Sequence, residues 1–203
     1  MLAEVEDEDV GLLGRWRAGD RAAGQALFAR HFDSLYRFFQ NKCDDVDELV
    51  QSTLVACLNA KEQFRGEASF RTYLFSIARN KLYRYLRERR RDVHLDATTT
   101  SVAELITTPR TVMARTQAHR ALLDALRELP VEQQTLLELY YWEDLSTQEL
   151  AEIFEVRVGT IYVWLFRARE KLRELLVCNA PDTLDALDRL ARKAGGPDRE
   201  REP

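Results

Sequence analysis

Apolar residues recur every three or four positions along nearly the whole chain, which is the spacing of amphipathic helices. From Arg21 to Phe39, for example, this spacing produces one broad apolar stripe. Glycine and proline, which interrupt helices, number only eight and five in 203 residues. No alternation of apolar and polar residues is long enough for a strand. The sequence therefore predicts an all-α fold.

Only one stretch has the composition of a linker. Between Asp92 and Arg110 the helical spacing is lost, and five threonines and a proline appear. We therefore expect two small helical domains, at 1–91 and 112–177, joined by a flexible linker at 92–111. Residues 178–203 form an extension with one short amphipathic helix, about Thr183 to Ala194, and a tail that we expect to be disordered. We expect this short helix to dock on the protein itself or on a regulator.

The distribution of charge matters more than its total. The formal net charge is −4, which disfavours nucleic-acid binding. From Arg79 to Arg91, however, seven basic residues stand against one acidic residue, and from Arg157 to Arg173 five stand against one. Segregated charge of this kind attracts phosphate locally.

The residue types needed for metal binding or catalysis are scattered. The chain has neither a C-x-x-C pair nor a Gly-rich phosphate loop. The cysteines and histidines, which are widely spaced, are Cys43, Cys57, Cys178, His31, His94 and His119. No apolar run reaches the length of a membrane span, and the N-terminus is acidic where a signal peptide would be basic. We expect a cytoplasmic protein with no metal, no cofactor, no membrane insertion and no enzymatic activity.

The stretch from Leu145 to Leu172 reads as two short helices around a tight joint. Ser146 or Thr147 can cap the first helix, and Glu155 to Arg157 forms the turn before a second helix from Val158 to Lys171. This arrangement is typical of a helix-turn-helix, whose second helix enters a major groove. The alternative is a plain helical hairpin. The basic run at the end of the second helix favours the DNA-binding interpretation.

This stretch resembles the C-terminal promoter-binding region of bacterial sigma factors, particularly the extracytoplasmic-function class. The resemblance spans about Leu122 to Leu176, and its most specific parts are "VGT" at Val158 to Thr160 and "RAREKL" at Arg167 to Leu172. It implies binding to the minus-35 promoter element. The residues that we expect to make this contact are Arg157, Thr160, Tyr162, Trp164, Arg167, Arg169 and Lys171.

Two departures from the family pattern bear on this contact. Glu155 stands in the turn where the family usually has glycine, at a cost of about 1 kcal/mol if the left-handed geometry is kept. Tyr162, Val163 and Trp164 occupy positions that are usually polar or basic. Tyr162 or Trp164 then either touches thymine methyl groups or packs inward. The alternative is that this helix faces a protein.

The first domain is similar to the polymerase-binding and promoter-melting region of the same family. Its acidic helix start matches the segment that docks on the coiled coil of core RNA polymerase. The residues implied in core binding are Asp45, Asp47, Glu48 and Gln51. Acids at a helix start also stabilise the helix dipole, but one or two would suffice for that.

The helix from Ser69 to Arg91 combines aromatic and basic residues, which suits strand separation because aromatic faces hold displaced bases while arginines hold the backbone. The resemblance implies that the loop from Phe64 to Ser69 forms the pocket for a flipped base. It also implies contact of the helix with the minus-10 element. The residues concerned are Phe64, Arg65, Ser69, Arg71, Tyr73, Arg79, Asn80, Tyr83, Arg84 and Arg87.

The resemblance implies a sigma factor that binds core RNA polymerase and directs promoter recognition, melting and initiation. Its implied partners are core RNA polymerase, double-stranded and melted promoter DNA, and an anti-sigma factor or other protein regulator. One alternative is a sigma-like interaction protein with weakened promoter recognition. Another is a stand-alone helix-turn-helix regulator, which would not explain the acidic helix followed by an aromatic and basic one.

Overall fold

The computed structural model describes residues 2–59, 68–89, 96–105 and 117–179. These residues form nine α-helices and, within the described ranges, no strand, which confirms the all-α prediction. The helices are α1 (Leu2–Arg17), α2 (Arg21–Gln40), α3 (Val46–Asn59), α4 (Phe70–Arg89), α5 (Val102–Leu105), α6 (Gln117–Glu128), α7 (Val131–Tyr141), α8 (Thr147–Phe154) and α9 (Val158–Asn179).

Helices α1 to α4 pack around an apolar centre formed by their inward faces. The side chain of Asp20 caps α2 by accepting hydrogen bonds from the backbone N–H groups of Ala22 and Ala23. Gly24 allows α2 to lie directly on Trp16, because a Cβ atom at this position would stand 2.4 Å from the indole ring. Trp16 in turn makes an edge-on contact with Phe28. These contacts hold α1 against α2.

Helices α6 to α9 form the second group, in which α8 and α9 make the helix-turn-helix. Ser146 caps α8, and Glu149 completes a capping box with it. Glu155 ends α8 with φ 58° and ψ 41°, so the left-handed turn is kept although the residue is not glycine. The inward residues predicted for these helices, including Leu150, Ile161 and Leu165, are buried.

Part of the predicted linker is folded against the second group. Pro130 precedes α7 and makes no side-chain cap. Instead, the carbonyl groups of Thr100 and Ala97 accept hydrogen bonds from the N–H groups of Val131 and Glu132, at 2.9 and 3.0 Å. These carbonyl groups satisfy two donors at the start of α7 that no residue of the helix can pair. We call this contact the clasp. Linker residues 92–95 and 106–111 lie outside the described ranges, as does the predicted helix from Thr183 to Ala194.

The two groups of helices pack on each other along a seam with two parts. In the first part, the end of α2 lies against α7, and the buried Lys42 forms an ion pair with Glu138. Arg37 forms a second ion pair there, with Glu143, at 3.2 Å. In the second part, α4 lies against α8. The polar contacts of this second part involve residues with predicted functions.

Candidate nucleic-acid interface

The acidic residues at the start of α3 fall into two groups, one that contacts α4 and one that is exposed. Asp45 accepts a hydrogen bond from the Tyr85 hydroxyl at 2.9 Å and lies 3.7 Å from the Arg89 guanidinium. Arg89 also pairs with Asp44. Burial and the bond to Asp45 raise the pKa of Tyr85 to about 12. Asp45 therefore ties α3 to α4.

Three other residues predicted to bind core polymerase share an outward face of α3. Asp47, Glu48 and Gln51 are exposed, and the two carboxylates form no ion pair with any described residue. The same face continues through Val55 and Leu58, which are 45% and 47% exposed. An acidic end followed by an apolar end is thus available to a partner.

The outward face of α4 carries three of the ten residues predicted for the minus-10 element. Asn80, Arg84 and Arg87 are exposed, and Arg84 pairs with Glu88 on the same helix. Arg71 and Tyr73 are half-buried, near the start of α4. Phe64 and Arg65, which belong to the predicted pocket for a flipped base, lie outside the described residues.

Three further residues of this set, Ser69, Arg79 and Tyr83, lie in the seam. Arg79 donates a hydrogen bond to the carbonyl oxygen of Ile153 at 2.9 Å, and its guanidinium lies between the rings of Tyr83 and Phe154 at 5.0 and 5.1 Å. Burial raises the pKa of Tyr83 to about 12. Residues predicted to hold melted DNA are therefore covered by α8 in this arrangement.

One carboxylate connects the seam to the helix-turn-helix. The Oε1 atom of Glu149 accepts hydrogen bonds from the hydroxyl groups of Ser69 and Thr72, at 3.3 and 3.2 Å. Its Oε2 atom accepts from the backbone N–H of Ser146 at 2.9 Å. Glu149 thus caps α8 and binds α4 at the same time. Nothing in the local sequence around Glu149 indicated the second role.

The second helix of the helix-turn-helix places the predicted minus-35 residues in three environments. Arg157 and Arg167 are exposed, Thr160 is half-buried, and Tyr162 is 53% exposed. Trp164 packs inward on Phe154, with ring centres 6.0 Å apart, so the inward alternative holds for this residue.

The basic residues further along α9 make contacts within the protein. The Arg169 guanidinium lies over the rings of Tyr140 and Tyr141, at 5.3 and 5.6 Å. Lys171 is exposed and lies 3.4 Å from Glu174. Arg169 is thus half-buried against α7, while Arg157 and Arg167 form no ion pair among the described residues.

Sequence reasoning missed one prominent side chain on this helix. Phe166 is 65% exposed and, one turn beyond Tyr162, lies on the same side of α9. Val163, beside them, is 47% exposed. The four-residue spacing from Tyr162 to Phe166 could have indicated this outward pair. The sequence analysis instead used the equal spacing from Ile161 to Leu165 to define the inward face.

Among the described residues, no helix is long and apolar enough to cross a bilayer. Within the same ranges, no group of three or more His, Cys, Asp and Glu side chains is placed to hold a metal ion. Cys57 is buried, and this burial raises the pKa of its thiol to about 12. The chemistry that the described surfaces offer is therefore that of charged and aromatic side chains on helices.

Taken together, the fold and these surfaces define a two-part helical protein with a helix-turn-helix of the kind that binds DNA. Residues 27–92 match the family model for Sigma-70 region 2, and residues 119–172 match that for Sigma-70 region 4. The two matches together make up more than half of the chain. The chain belongs to the sigma-70 family, in its extracytoplasmic-function class, and is a promoter-recognising sigma factor of RNA polymerase.

Individual relatives agree with this assignment. The chain is 29% identical to the ECF RNA polymerase sigma-E factor of Haemophilus influenzae over 177 residues, which cover 81% of this chain and 93% of that relative. It is 26% identical to the RNA polymerase sigma-H factor of Pseudomonas aeruginosa over 184 residues, covering 85% and 95%. Because both family regions are present, a stand-alone helix-turn-helix regulator is not favoured. Sigma factors are non-enzymatic initiation factors.

Solved structures share the fold. CnrH, in complex with the cytosolic domain of CnrY, superposes with a TM-score of 0.66 at 23% identity, over 85% of this chain and 99% of that one. The sigma factor RpoE, in complex with the anti-sigma factor NepR from Bartonella quintana, gives 0.59 at 24% identity, over 75% and 95%. The helical architecture is therefore that of known sigma factors.

Proposed function

We propose that the chain binds core RNA polymerase through the exposed face of α3 and grips two promoter elements with separate domains. The minus-10 element is held and melted by α4 and the loop before it, and the minus-35 element is bound by α9. We propose that these domains have the bounds expected from the sequence, 1–91 and 112–177. The chain acts in the cytoplasm and performs no catalysis, because phosphodiester synthesis belongs to the polymerase.

The observation that carries this proposal is the presence of both kinds of surface on one chain. An exposed acidic helix face at Asp47 and Glu48 suits a basic partner, and an exposed second helix of a helix-turn-helix suits a major groove. A free regulator needs only the second surface. A polymerase subunit that selects promoters needs both.

The covered residues of α4 have a place in this proposal. Ser69, Arg79 and Tyr83 contact α8 or lie beside it in the seam. The polar atoms of Ser69 and Arg79 that bond to α8 are closed to DNA until α8 moves away. We therefore expect the seam to open when the chain engages polymerase and promoter.

The first test is run-off transcription with core polymerase, with and without the chain, on a pool of promoter fragments at two salt concentrations. New start sites that depend on the chain are the expected result. Core binding without new starts would favour the sigma-like interaction protein, and absence of core binding would contradict the proposal. Weaker use of the starts at higher salt is expected because phosphate contacts release counterions.

The core-binding face can be tested by reversing its charge. The double variant Asp47→Lys with Glu48→Lys should bind core polymerase at least about tenfold more weakly, because two favourable charge contacts become repulsive. Asp124→Lys with Glu128→Lys is the matched control, since both residues are exposed acids on α6. Equal losses in the two double variants would show that net charge, and not this face, determines binding.

A protein regulator is also part of the proposal. The solved structures of CnrH and RpoE hold the cytosolic domain of CnrY and the anti-sigma factor NepR. We expect a regulator of this kind to bind the present chain and keep the seam closed. Removing residues 179–203 should change transcription or its inhibition by the regulator, and an unchanged result in both would rule out a role for the extension.

A further inference from the structure

We propose that this sigma factor reads its upstream promoter element through thymine methyl groups, using Val163 and Phe166 with Tyr162 beside them. This inference rests on the proposed function, since it assumes that α9 enters the major groove at the minus-35 element. It assigns the readout to apolar side chains in place of the hydrogen-bonding ones that read guanine or adenine edges. We call these three residues the apolar triad.

The position of the apolar triad is the first argument. Its members lie in the first turns of α9, the part of a second helix that meets base edges. Their exposed fractions are 53% for Tyr162, 47% for Val163 and 65% for Phe166. They are adjacent on one outward side of the helix because residues four apart share a face. Side chains of this size and exposure would be covered by DNA in the groove.

The rigidity of this face is the second argument. The Thr147 hydroxyl donates a hydrogen bond to the Tyr162 hydroxyl at 3.3 Å, which ties the phenol ring to the start of α8. Thr147 itself is buried. Opposite the apolar triad, Ile161 and Leu165 are fully or almost fully buried, so the helix cannot rotate to hide it. The triad is therefore presented in a fixed orientation.

The charge around the apolar triad selects DNA over a protein partner. Arg157 precedes it and Arg167 follows it, and both are exposed and form no ion pair among the described residues. Ten residues of helix separate them by about 15 Å, which is close to the roughly 12 Å width of a major groove. Two arginines at this separation can reach the phosphates on both sides of a groove.

Thymine is the base that this arrangement fits. In the major groove each base pair presents a pattern of donors and acceptors, and thymine alone adds an apolar group, its C5 methyl. Phenylalanine and other apolar side chains contact that methyl. Val163 and Phe166 offer no hydrogen bond to guanine, adenine or cytosine, so the bases facing them are distinguished by the methyl.

The test removes the methyl group and nothing else. Holoenzyme made from core polymerase and the full chain first selects upstream elements from a library with that region randomised. Each thymine of the selected element is then replaced by deoxyuridine, which keeps every donor and acceptor. We expect about fourfold weaker promoter binding for each contacted methyl, the equivalent of about 0.8 kcal/mol.

Variants assign the effect to the apolar triad. The double variant Val163→Ala with Phe166→Ala should discriminate between the thymine and deoxyuridine elements less than the unmodified chain does, because both side chains are shortened away from the thymine methyl groups. Val163→Thr keeps a methyl group and should retain the preference. Val177→Ala is the matched control, because Val177 lies on the same helix and is 52% exposed.

The outcomes separate this inference from the proposed function. An upstream element that is selected but tolerates deoxyuridine at every position would overturn the inference and leave the sigma-factor function standing. Core binding without any selected upstream element would overturn both the inference and minus-35 recognition. Loss of a protein regulator, and not of DNA, in Val163→Ala and Phe166→Ala would assign the face to a protein.

Discussion

At the scale of single residues, Glu155 shows how the turn of the helix-turn-helix forms without the usual glycine. Its backbone adopts the left-handed conformation, in which a Cβ atom crowds the following carbonyl group. The turn is imposed by the packing of α8 and α9 around Ile153 and Ile161, both fully buried. The core thus overrides the local preference of this residue.

Replacing Glu155 by glycine should therefore stabilise the protein. We expect Glu155→Gly to raise the free energy of unfolding by about 1 kcal/mol, because it removes the left-handed strain. Urea denaturation followed by circular dichroism measures the change. Glu152→Gly, at an exposed position inside α8, should instead lower the free energy of unfolding by about 1 kcal/mol. A loss of stability in both variants would contradict the strain at Glu155.

Individual residues also show where sequence reasoning reached its limit. The inward positions of α8 and α9 followed from helical spacing, because burial repeats with the helix period. The sequence did not decide whether Trp164 packs inward or contacts DNA, because an aromatic residue at the edge of a helix's apolar face can do either. The role of Glu149 toward Ser69 and Thr72 depends on residues about 80 positions away. No local pattern carries that information.

At the scale of secondary-structure elements, α8 depends on its capping box. The Ser146 hydroxyl accepts a hydrogen bond from the Glu149 N–H at 3.2 Å, and the Glu149 carboxylate accepts from the Ser146 N–H at 2.9 Å. The helix has only eight residues. In so short a helix the unpaired N–H groups of the first turn are a large share of all its hydrogen-bond donors.

Removal of this cap should be measurable. We expect Ser146→Ala to lower the free energy of unfolding by about 1 kcal/mol, because the N–H of Glu149 loses its acceptor. Gln148→Ala changes an exposed side chain in the same turn and should leave stability within about 0.5 kcal/mol. Thermal and urea unfolding of the two variants compare them directly. Equal stability of Ser146→Ala and the unmodified protein would contradict a stabilising cap.

Helix bounds followed from the sequence more closely than the contacts between helices and loops did. The helix predicted from Arg21 to Phe39 is observed from Arg21 to Gln40. The clasp was not foreseen. Its hydrogen bonds use backbone carbonyl groups of threonine-rich sequence, which have no side-chain signature.

At the scale of the whole molecule, the seam joins the two groups of helices through a buried ion pair. The Lys42 side chain is fully buried and that of Glu138 is 12% exposed. Gln134 donates a further hydrogen bond to Glu138 at 2.8 Å, and the ammonium group of Lys42 lies 4.4 Å from the Phe38 ring centre. Removing one member of such a pair leaves the other charge buried, desolvated and without a partner. The seam therefore tolerates loss of both charges better than loss of one.

This reasoning predicts how the seam can be opened. Lys42→Met should favour separated domains, because separation returns the unpaired Glu138 carboxylate to water. Small-angle X-ray scattering should then report a larger radius of gyration. Arg84→Met removes an exposed ion pair on α4 and should leave the radius unchanged.

A second variant keeps this prediction specific. Lys42→Met combined with Glu138→Leu should return the radius of gyration toward that of the unmodified protein, since no buried charge is left without a partner. If the double variant is as expanded as Lys42→Met, packing of the lysine stem, and not its charge, holds the seam.

The clasp at Ala97 and Thr100 limits how far the two domains can move apart. While it holds, the tether between the domains runs from Arg89 to Asp96, a stretch that spans at most about 25 Å when fully extended. If the clasp and the packing of α5 on α6 are both released, the tether runs from Arg89 to Gln117 and spans at most about 95 Å. The clasp, the bridge from Ser101 to Pro130 and the packing of α5 on α6 therefore decide together between a short tether and a long one. The length of this tether limits the separation between the two DNA elements that one bound chain can contact at the same time.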